Sequence, residues 1–213
     1  AVIDAKRNGC RYPYPEICGA FTAYQLIRAL YAPKGLPEAL DRRLLGYAAL
    51  ATVCDVMPFT GENRRTVRTG LRYLNTDPSP GIAALMKAGS VAEIDPYRAG
   101  FVIGPMLNAG GRLGSQNRFV RILLSEDERE CADLARELYE LNRTRQEMTD
   151  QGLRRAAELA RTDSDPVKVI YLPGIHESIA GLVAGKLKER LNRPVFAVVD
   201  GEDGLKGSGR SIP

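Results

Sequence analysis

At 213 residues the chain is long enough to bury one large core or two modest ones. Hydrophobic residues make up 44% and charged residues 26%, the balance of an ordinary soluble globular protein, and no run approaches the ~20 apolar residues of a bilayer-spanning helix. The formal charge of +4 fits a nucleic-acid partner without demanding one.

The first 16 residues read as extended and turn-rich. The opening Ala-Val-Ile reads as part of a strand, and Pro13 and Pro15 set a polyproline-like path. No apolar signal core accompanies Lys6 and Arg7, so the chain reads as soluble and cytoplasmic, with no membrane partner. From Gly19 to Tyr31, Phe21, Tyr24, Leu26, Ile27 and Leu30 recur at helical spacing. A second helix is predicted from Pro37 to Cys54, burying Leu40, Leu44, Leu45, Ala48, Ala51 and Thr52; it runs into Asp55-Val-Met-Pro58, where the proline disfavours helix at the residue before it. A third helix is predicted over Glu62–Leu74, with Val67, Leu71 and Leu74 inward and Arg64, Arg65, Arg68 and Arg72 mostly outward, and a short fourth over Gly81–Ala88.

A glycine-rich stretch, Phe101 to Gly114, reads as a turn. Ser125 and Glu128 then form a capping-box pattern. Beyond them Ala132, Leu134, Ala135, Leu138, Leu141, Met148, Leu153, Ala156, Ala157 and Ala160 trace one face of a helix about 36 residues and roughly 54 Å long, a length that bridges two lobes. The breaker cluster Thr162-Asp-Ser-Asp-Pro166 marks the best domain boundary. After it the period changes: a buried strand over Val167–Leu172, an amphipathic helix over Ser178–Leu191, a strand over Val195–Val199, and a hairpin turn at Asp200–Gly204 into Leu205-Lys-Gly-Ser. This is a β-α-β-β unit. The opening without Met and the ending Gly-Ser-Gly-Arg-Ser-Ile-Pro read as a fragment trimmed at both ends.

Four cysteines, Cys10, Cys18, Cys54 and Cys131, contain no C-x-x-C pair, so buried free thiols of a reducing compartment are expected rather than structural zinc. Asp55 closes an apolar helix; alone it reads as a capping or turn aspartate, or as an oxygen ligand for Mg²⁺ or Mn²⁺. Asn108 and Arg112 lie in the glycine-rich stretch, where a backbone approaches a ligand closely and a guanidinium grips phosphate through paired hydrogen bonds. His176, the one histidine, sits in a strand-to-helix loop, where helix amino termini attract anions. No second histidine follows at the spacing of a zinc protease. Ser208 and Arg210, in Gly207-Ser-Gly-Arg-Ser211, resemble an anion cradle of N–H, hydroxyl and guanidinium donors.

Taken in order, Tyr14-Pro-Glu-Ile-Cys-Gly-Ala20, Asp55-Val-Met-Pro with Gly61-Glu-Asn-Arg64, Asn108-Ala-Gly-Gly-Arg112, Gly174-Ile-His-Glu and Lys206-Gly-Ser-Gly-Arg-Ser-Ile212 resemble the RecJ-type exonucleases of the DHH/DHHA1 phosphoesterase superfamily, over essentially the whole chain. The resemblance implies an α/β fold: the C-terminal, mostly helical part of a DHH domain over residues 1–124, a connecting helix over 125–162, and the start of a DHHA1 domain over 163–213. It implies 5′-to-3′ hydrolysis of single-stranded DNA with Mn²⁺ or Mg²⁺ in a two-metal site, in DNA repair and recombination. Most of the metal ligands would lie outside this chain, which alone would be inactive. Asp55 matches the last metal motif and is the catalytic and metal residue implied; Asn108, Arg112, His176, Ser208 and Arg210 match phosphate-holding positions. Single-stranded DNA is the implied partner, with a helicase or single-strand-binding protein as protein partners. Met106 stands where the family commonly has arginine and Ile175 where it commonly has tryptophan. Two alternatives share the superfamily: a non-catalytic replication or repair scaffold, and a phosphodiesterase of oligonucleotides or cyclic dinucleotides. The Ser-Gly-Arg-Ser ending speaks against the phosphodiesterase, whose members tend to carry Gly-Gly-Gly-His there.

Overall fold

Helices α2 (Glu38–Cys54) and α3 (Gly61–Thr76) approach one another through glycine. A Cβ placed on Gly70 would lie 2.4 Å from the Ala49 Cβ and 2.5 Å from the Leu45 carbonyl oxygen; one on Gly46 would lie 2.6 Å from a Leu74 methyl. Around this contact Leu50, Val67, Leu71 and Leu74 join Ile82 and Leu85 of α4 (Pro80–Ala88), whose Pro80 suits the first turn of a helix. Each fully buried aliphatic side chain contributes about 1.5–3 kcal/mol relative to exposure. Helix α1 (Gly19–Tyr31) packs Phe21 and Tyr24 with Ile17, Cys18 and Ala48 in a smaller cluster. The computed structural model describes residues 2–113, 117–161 and 164–213, without the side chains of 112 and 113.

The glycine-rich stretch is helical where a turn was expected. A single turn, α5 (Pro96–Arg98), passes into a π-helical stretch at Ala99–Ile103 and then α6 (Gly104–Leu113). Two of its glycines, Gly104 and Gly110, serve packing against neighbouring helices. A Cβ on Gly104 would lie 2.4 Å from the Cys54 sulfur, and one on Gly110 would lie 2.8 Å from a Leu138 methyl. Met106 is 1% exposed and belongs to the core, so the position where the family commonly carries arginine is occupied here by a packing residue. Helix α7 (Arg118–Leu124), which was not foreseen, buries Ile122. The expected strand at the amino terminus is absent from residues 2–4.

Helix α8 (Glu128–Arg161) is a single helix of 34 residues. Its cap is Asp127, whose Oδ1 accepts the Arg129 and Glu130 N–H groups at 2.8 and 3.1 Å; Ser125 instead hydrogen-bonds Glu130, so the expected Ser125–Glu128 box does not form. Leu134, Ala135 and Leu138 enter the first core and Leu153, Ala156 and Ala160 the second, while Ala132 faces outward and Cys131 takes its place. The chain separates into two units, Ala1–Gly111 with Ser115–Tyr139 and Arg112–Gly114 with Glu140–Pro213, so the division falls inside α8. The breaker cluster at 162–166 begins with two residues outside the described ones.

The second unit is the β-α-β-β arrangement expected: β1 (Lys168–Tyr171), α9 (Glu177–Leu191), β2 (Val195–Gly201) and β3 (Gly204–Arg210). Strands β1 and β2 pair in parallel and β2 and β3 antiparallel, in the order β1-β2-β3. A parallel pair needs a crossover, and α9 provides it, burying Ile179, Val183 and Leu187 against Ile170, Val195, Ala197 and Val199. The opposite sheet face leaves Val169, Tyr171 and Phe196 exposed.

Filling the α2–α3 contact should be costly. Gly70→Ala is expected to lower the stability of the chain by about 1–3 kcal/mol, read from the midpoint of urea denaturation, because its methyl meets backbone as well as side chain. An unchanged midpoint would contradict the close approach.

Candidate functional site

The second unit gathers three of the predicted residues around one helix terminus. Leu172 is buried just past the end of β1, and Gly174, at φ +76°, turns the chain toward α9. Asp200 holds this loop by accepting the Tyr171 hydroxyl (2.6 Å) and the Gly174 N–H (3.3 Å); Arg155 of α8 donates to the Pro173 carbonyl at 3.0 Å. His176 is the N-cap of α9. Its Nδ1 accepts the Ser178 N–H at 3.3 Å and lies 2.8 Å from the Ser178 hydroxyl. With Nδ1 accepting a backbone N–H, the neutral ring carries its proton on Nε2. Ile175, at the family's tryptophan position, is 8% exposed and packs into the second core.

Strand β3 supplies the other wall. Because side chains alternate along a strand, the register Val195↔Arg210, Ala197↔Ser208 and Val199↔Lys206 places Lys206, Ser208 and Arg210 on the same sheet face as the buried residues of β2, the face that α9 covers. The intervening glycines lie on the other face, where a Cβ on Gly209 would meet the Phe196 ring at 2.7 Å. Of the N–H, hydroxyl and guanidinium donors expected of this cradle, the backbone N–H groups belong to a paired strand, so its chemistry lies in its side chains. Gly181, in the second turn of α9, makes room for them: a Cβ there would sit 3.1 Å from both the Arg210 Nη2 and the Ser208 Oγ. The Arg210 Nη1 donates to the Ser208 hydroxyl (3.0 Å) and the Gly209 carbonyl (2.7 Å) and, among the described residues, pairs with no carboxylate. A small cleft of about 230 Å³ lies between Glu177 and Ser178 on α9 and Lys206 and Ser208 on β3. Lys206 Nζ pairs with the Glu177 carboxylate at 2.6 Å, which holds Glu177 below, and Lys206 above, the usual range. The donors that face this corner are thus the Arg210 guanidinium and the Ser208 hydroxyl at the positive end of a 15-residue helix, an arrangement that suits an anion.

In the first unit Asp55 is exposed at the end of α2. Its N–H donates to the Ala51 carbonyl at 2.8 Å, and its carboxylate has no hydrogen-bond or ion-pair partner among the described residues. The helix ends in a six-residue closure: Met57 N–H to the Thr52 carbonyl (3.1 Å) and Val56 N–H to that of Val53 (3.0 Å), with Val56 left-handed at φ +54°. Glycine is the usual residue there; a β-branched one is strained. A carboxylate beside the negative end of a helix makes a locally anionic spot, the setting that a bound cation relieves. The Gly61-Glu-Asn-Arg64 motif secures this loop. Buried Asn63 donates through Nδ2 to the Glu16 (2.6 Å) and Pro58 (3.0 Å) carbonyls, and Glu62 accepts the Tyr12 hydroxyl at 2.6 Å. Asn63 and Asp200 are supporting residues that sequence reading passed over. Both partners of Asn63 and the Gly174 contact of Asp200 come from other segments of the chain.

Asn108 is exposed on α6, and Arg112 lies in the last turn of that helix with its side chain outside the described residues. Asp55 and Asn108 belong to the first unit and His176, Ser208 and Arg210 to the second. Among the described residues no three His, Cys, Asp or Glu side chains gather closely enough to hold a metal ion, so Asp55 could serve only as one ligand of a larger set. Among the described residues no helix is long and apolar enough to cross a membrane.

A mostly helical unit followed by a β-α-β-β unit with an anion-suited strand–helix loop defines an α/β segment. Comparison with known proteins makes the class specific. The chain is 34% identical over 218 residues to the single-stranded-DNA-specific exonuclease RecJ of Bacillus subtilis and 35% identical over 231 residues to that of Dickeya dadantii. Both alignments take in all of this chain, but only 27% and 40% of those proteins. The crystal structure of RecJ from Thermus thermophilus in complex with Mn²⁺ matches 95% of the chain with a TM-score of 0.83 at 32% identity, over 30% of that molecule. No protein-family model matches. By this whole-length similarity in sequence and structure, the chain is a segment of the RecJ exonuclease family.

The cysteines offer a check on the surroundings of Asp55. Cys18 and Cys131 are buried and Cys54 is half-buried, as expected, but Cys10 is exposed. Burial, then the Asp55 charge, pushes the Cys54 thiol up to about 11. In the folded chain at pH 8, iodoacetamide is expected to modify Cys10 first and to spare Cys54 until the pH nears that value, with mass spectrometry of the peptides as readout. Raising the folded pKa means that the protonated thiol stabilises the fold below its unfolded pKa near 9.0, and that this contribution fades as pH rises toward 11. Early modification of Cys54 would contradict the burial.

Proposed function

We propose that this segment supplies the phosphate-holding residues and one metal ligand of an exonuclease that degrades single-stranded DNA from the 5′ end. The observation that carries the reading is the convergence of Ser208 and Arg210 on the amino end of α9. In this reading Arg210 grips a strand phosphate through a guanidinium that no carboxylate occupies, with Ser208 donating a hydroxyl hydrogen bond and His176 offering its Nε2–H. Glu177 keeps Lys206 occupied, which limits the positive charge and allows the phosphate to leave after each cycle. Asn108 and Arg112 would serve as further phosphate contacts. Asp55 completes a ligand set whose other members lie outside these 213 residues, so the segment alone is inactive. When bound, Mn²⁺ or Mg²⁺ would supply an activated water and neutralise charge at the phosphodiester. The protein would work in the cytoplasm in DNA repair and recombination, alongside a helicase or single-strand-binding protein.

The test uses a protein of the relatives' full length carrying this segment, with Mn²⁺ and single-stranded DNA labelled at either end. Mononucleotides are expected first from the 5′ label. Asp55→Ala should cut the rate by roughly 100-fold or more, as loss of a metal-site residue does. Arg210→Ala should weaken engagement of the strand about 10- to 100-fold, the equivalent of ~1.5–3 kcal/mol for a charged hydrogen bond. A folded protein that binds DNA but releases no nucleotide would favour the scaffold reading instead.

A further inference from the structure

We propose that a second surface, on the outer face of α3, binds single-stranded nucleic acid through phosphates and stacked bases; the identity of the strand rests on the exonuclease reading above. Arg64, Arg68 and Arg72 recur every four residues, about 6 Å apart along the helix axis, and all three are exposed. Among the described residues none of the three has a carboxylate within ion-pair distance, whereas Arg42, Arg43, Arg98 and Arg121 each sit on one. The three arginines border a mainly apolar groove of about 490 Å³ that Phe59, Val67, Leu71 and the segment Glu93–Pro96 also line. Asn75 fixes that segment by a reciprocal pair of bonds, Nδ2 to the Ile94 carbonyl (3.0 Å) and Ile94 N–H to Oδ1 (2.8 Å). Of the two acidic residues in the segment, Asp95 is neutralised by Arg98, leaving Glu93 against three arginines.

Directly beyond Pro96, Tyr97 and Phe101 stack with ring centroids 4.9 Å apart, and each is 67% exposed. This exposed aromatic pair follows directly in sequence on a segment that lines the groove, is costly to leave bare in water and contributes nothing to the core. The π-helical stretch that follows α5 carries Phe101 outward while Ala99 and Ile103 stay buried. The charge pattern calls for a polyanion, and the open ring faces call for unstacked planar groups. A single strand offers both. A duplex keeps its bases stacked, and an acidic peptide provides charge without bases.

The experiment follows fluorescence anisotropy of a labelled single-stranded oligonucleotide with the 213-residue chain over a range of salt. Replacing Arg64, Arg68 and Arg72 together by Ala should lower affinity about tenfold or more. It should also flatten the slope of log affinity against log salt by about 2, since each phosphate neutralised on a single strand adds ~0.7 to that slope. The triple Lys variant should keep the slope, and replacing Tyr97 and Phe101 by Ala should cost about fivefold or more at every salt concentration. In the unaltered chain the oligonucleotide should protect the three arginines from phenylglyoxal, a readout independent of any variant. Unchanged affinity and slope in the Ala variant, with binding still abolished by Arg210→Ala, would overturn this surface and leave the phosphate site standing. No binding by the unaltered chain would overturn both. Displacement of the oligonucleotide by polyglutamate at equal concentration would overturn the nucleic-acid assignment in favour of an acidic protein.

Discussion

One helix serves two cores, and each unit is built onto its own stretch of it. Over 34 residues α8 must keep a single apolar face in phase, since Leu134, Ala135 and Leu138 fill the first core and Leu153, Ala156 and Ala160 the second. The middle of that face changes character. Asn142 and Thr149 are buried polar residues, with Asn142 Oδ1 accepting from Arg145 and the Thr149 hydroxyl donating to the Arg145 carbonyl. These polar side chains find their partners within the helix itself, and the division into units falls just before this polar stretch. Close contacts then fix each unit to its own part of the helix: Gly110 against Leu138 in the first, Gly152 against Val183 in the second.

The candidate site follows from this economy of small residues. Gly181 gives Ser208 and Arg210 their place against α9, and Gly207 and Gly209 leave the opposite face to Val198 and Phe196. The result is a strand whose polar side chains all face the amino end of one helix. In the first unit the same tightness at Gly104 brings α6 onto the end of α2, while Asn63 secures the loop that carries Asp55. Neither arrangement depends on an unusual residue. Each depends on where ordinary residues are held.

Much of this was legible in the sequence, because helical and strand periods are local properties. The spacing from Gly19 to Tyr31 matches α1 at both ends, and the β-α-β-β order follows from the change of period after Pro166. The glycines between Gly104 and Gly111 misled, because a glycine in a turn and a glycine under a neighbouring helix look alike without the neighbour. The short apolar run from Phe119 to Leu124 fits strand or helix equally, and only burial of Ile122 decides it. In Lys206–Arg210 the residue types pointed to an anion and the segment after the hairpin turn was read as a strand, but the register that sets Lys206, Ser208 and Arg210 on the face covered by α9 depends on pairing with β2. The family resemblance could be read from five short motifs, and similarity over the whole length to RecJ proteins bears it out.

The central claim is that the amino end of α9 and the outer half of β3 form one anion site. Titrating the isotopically labelled chain with inorganic phosphate, and then with a 5′-mononucleotide, tests it most directly through the backbone amide resonances. The account predicts saturable shifts confined to residues 176–181 and 206–210, abolished by Arg210→Ala while the rest of the spectrum is retained. Shifts spread over the basic surface without saturation, or unchanged by Arg210→Ala, would contradict it.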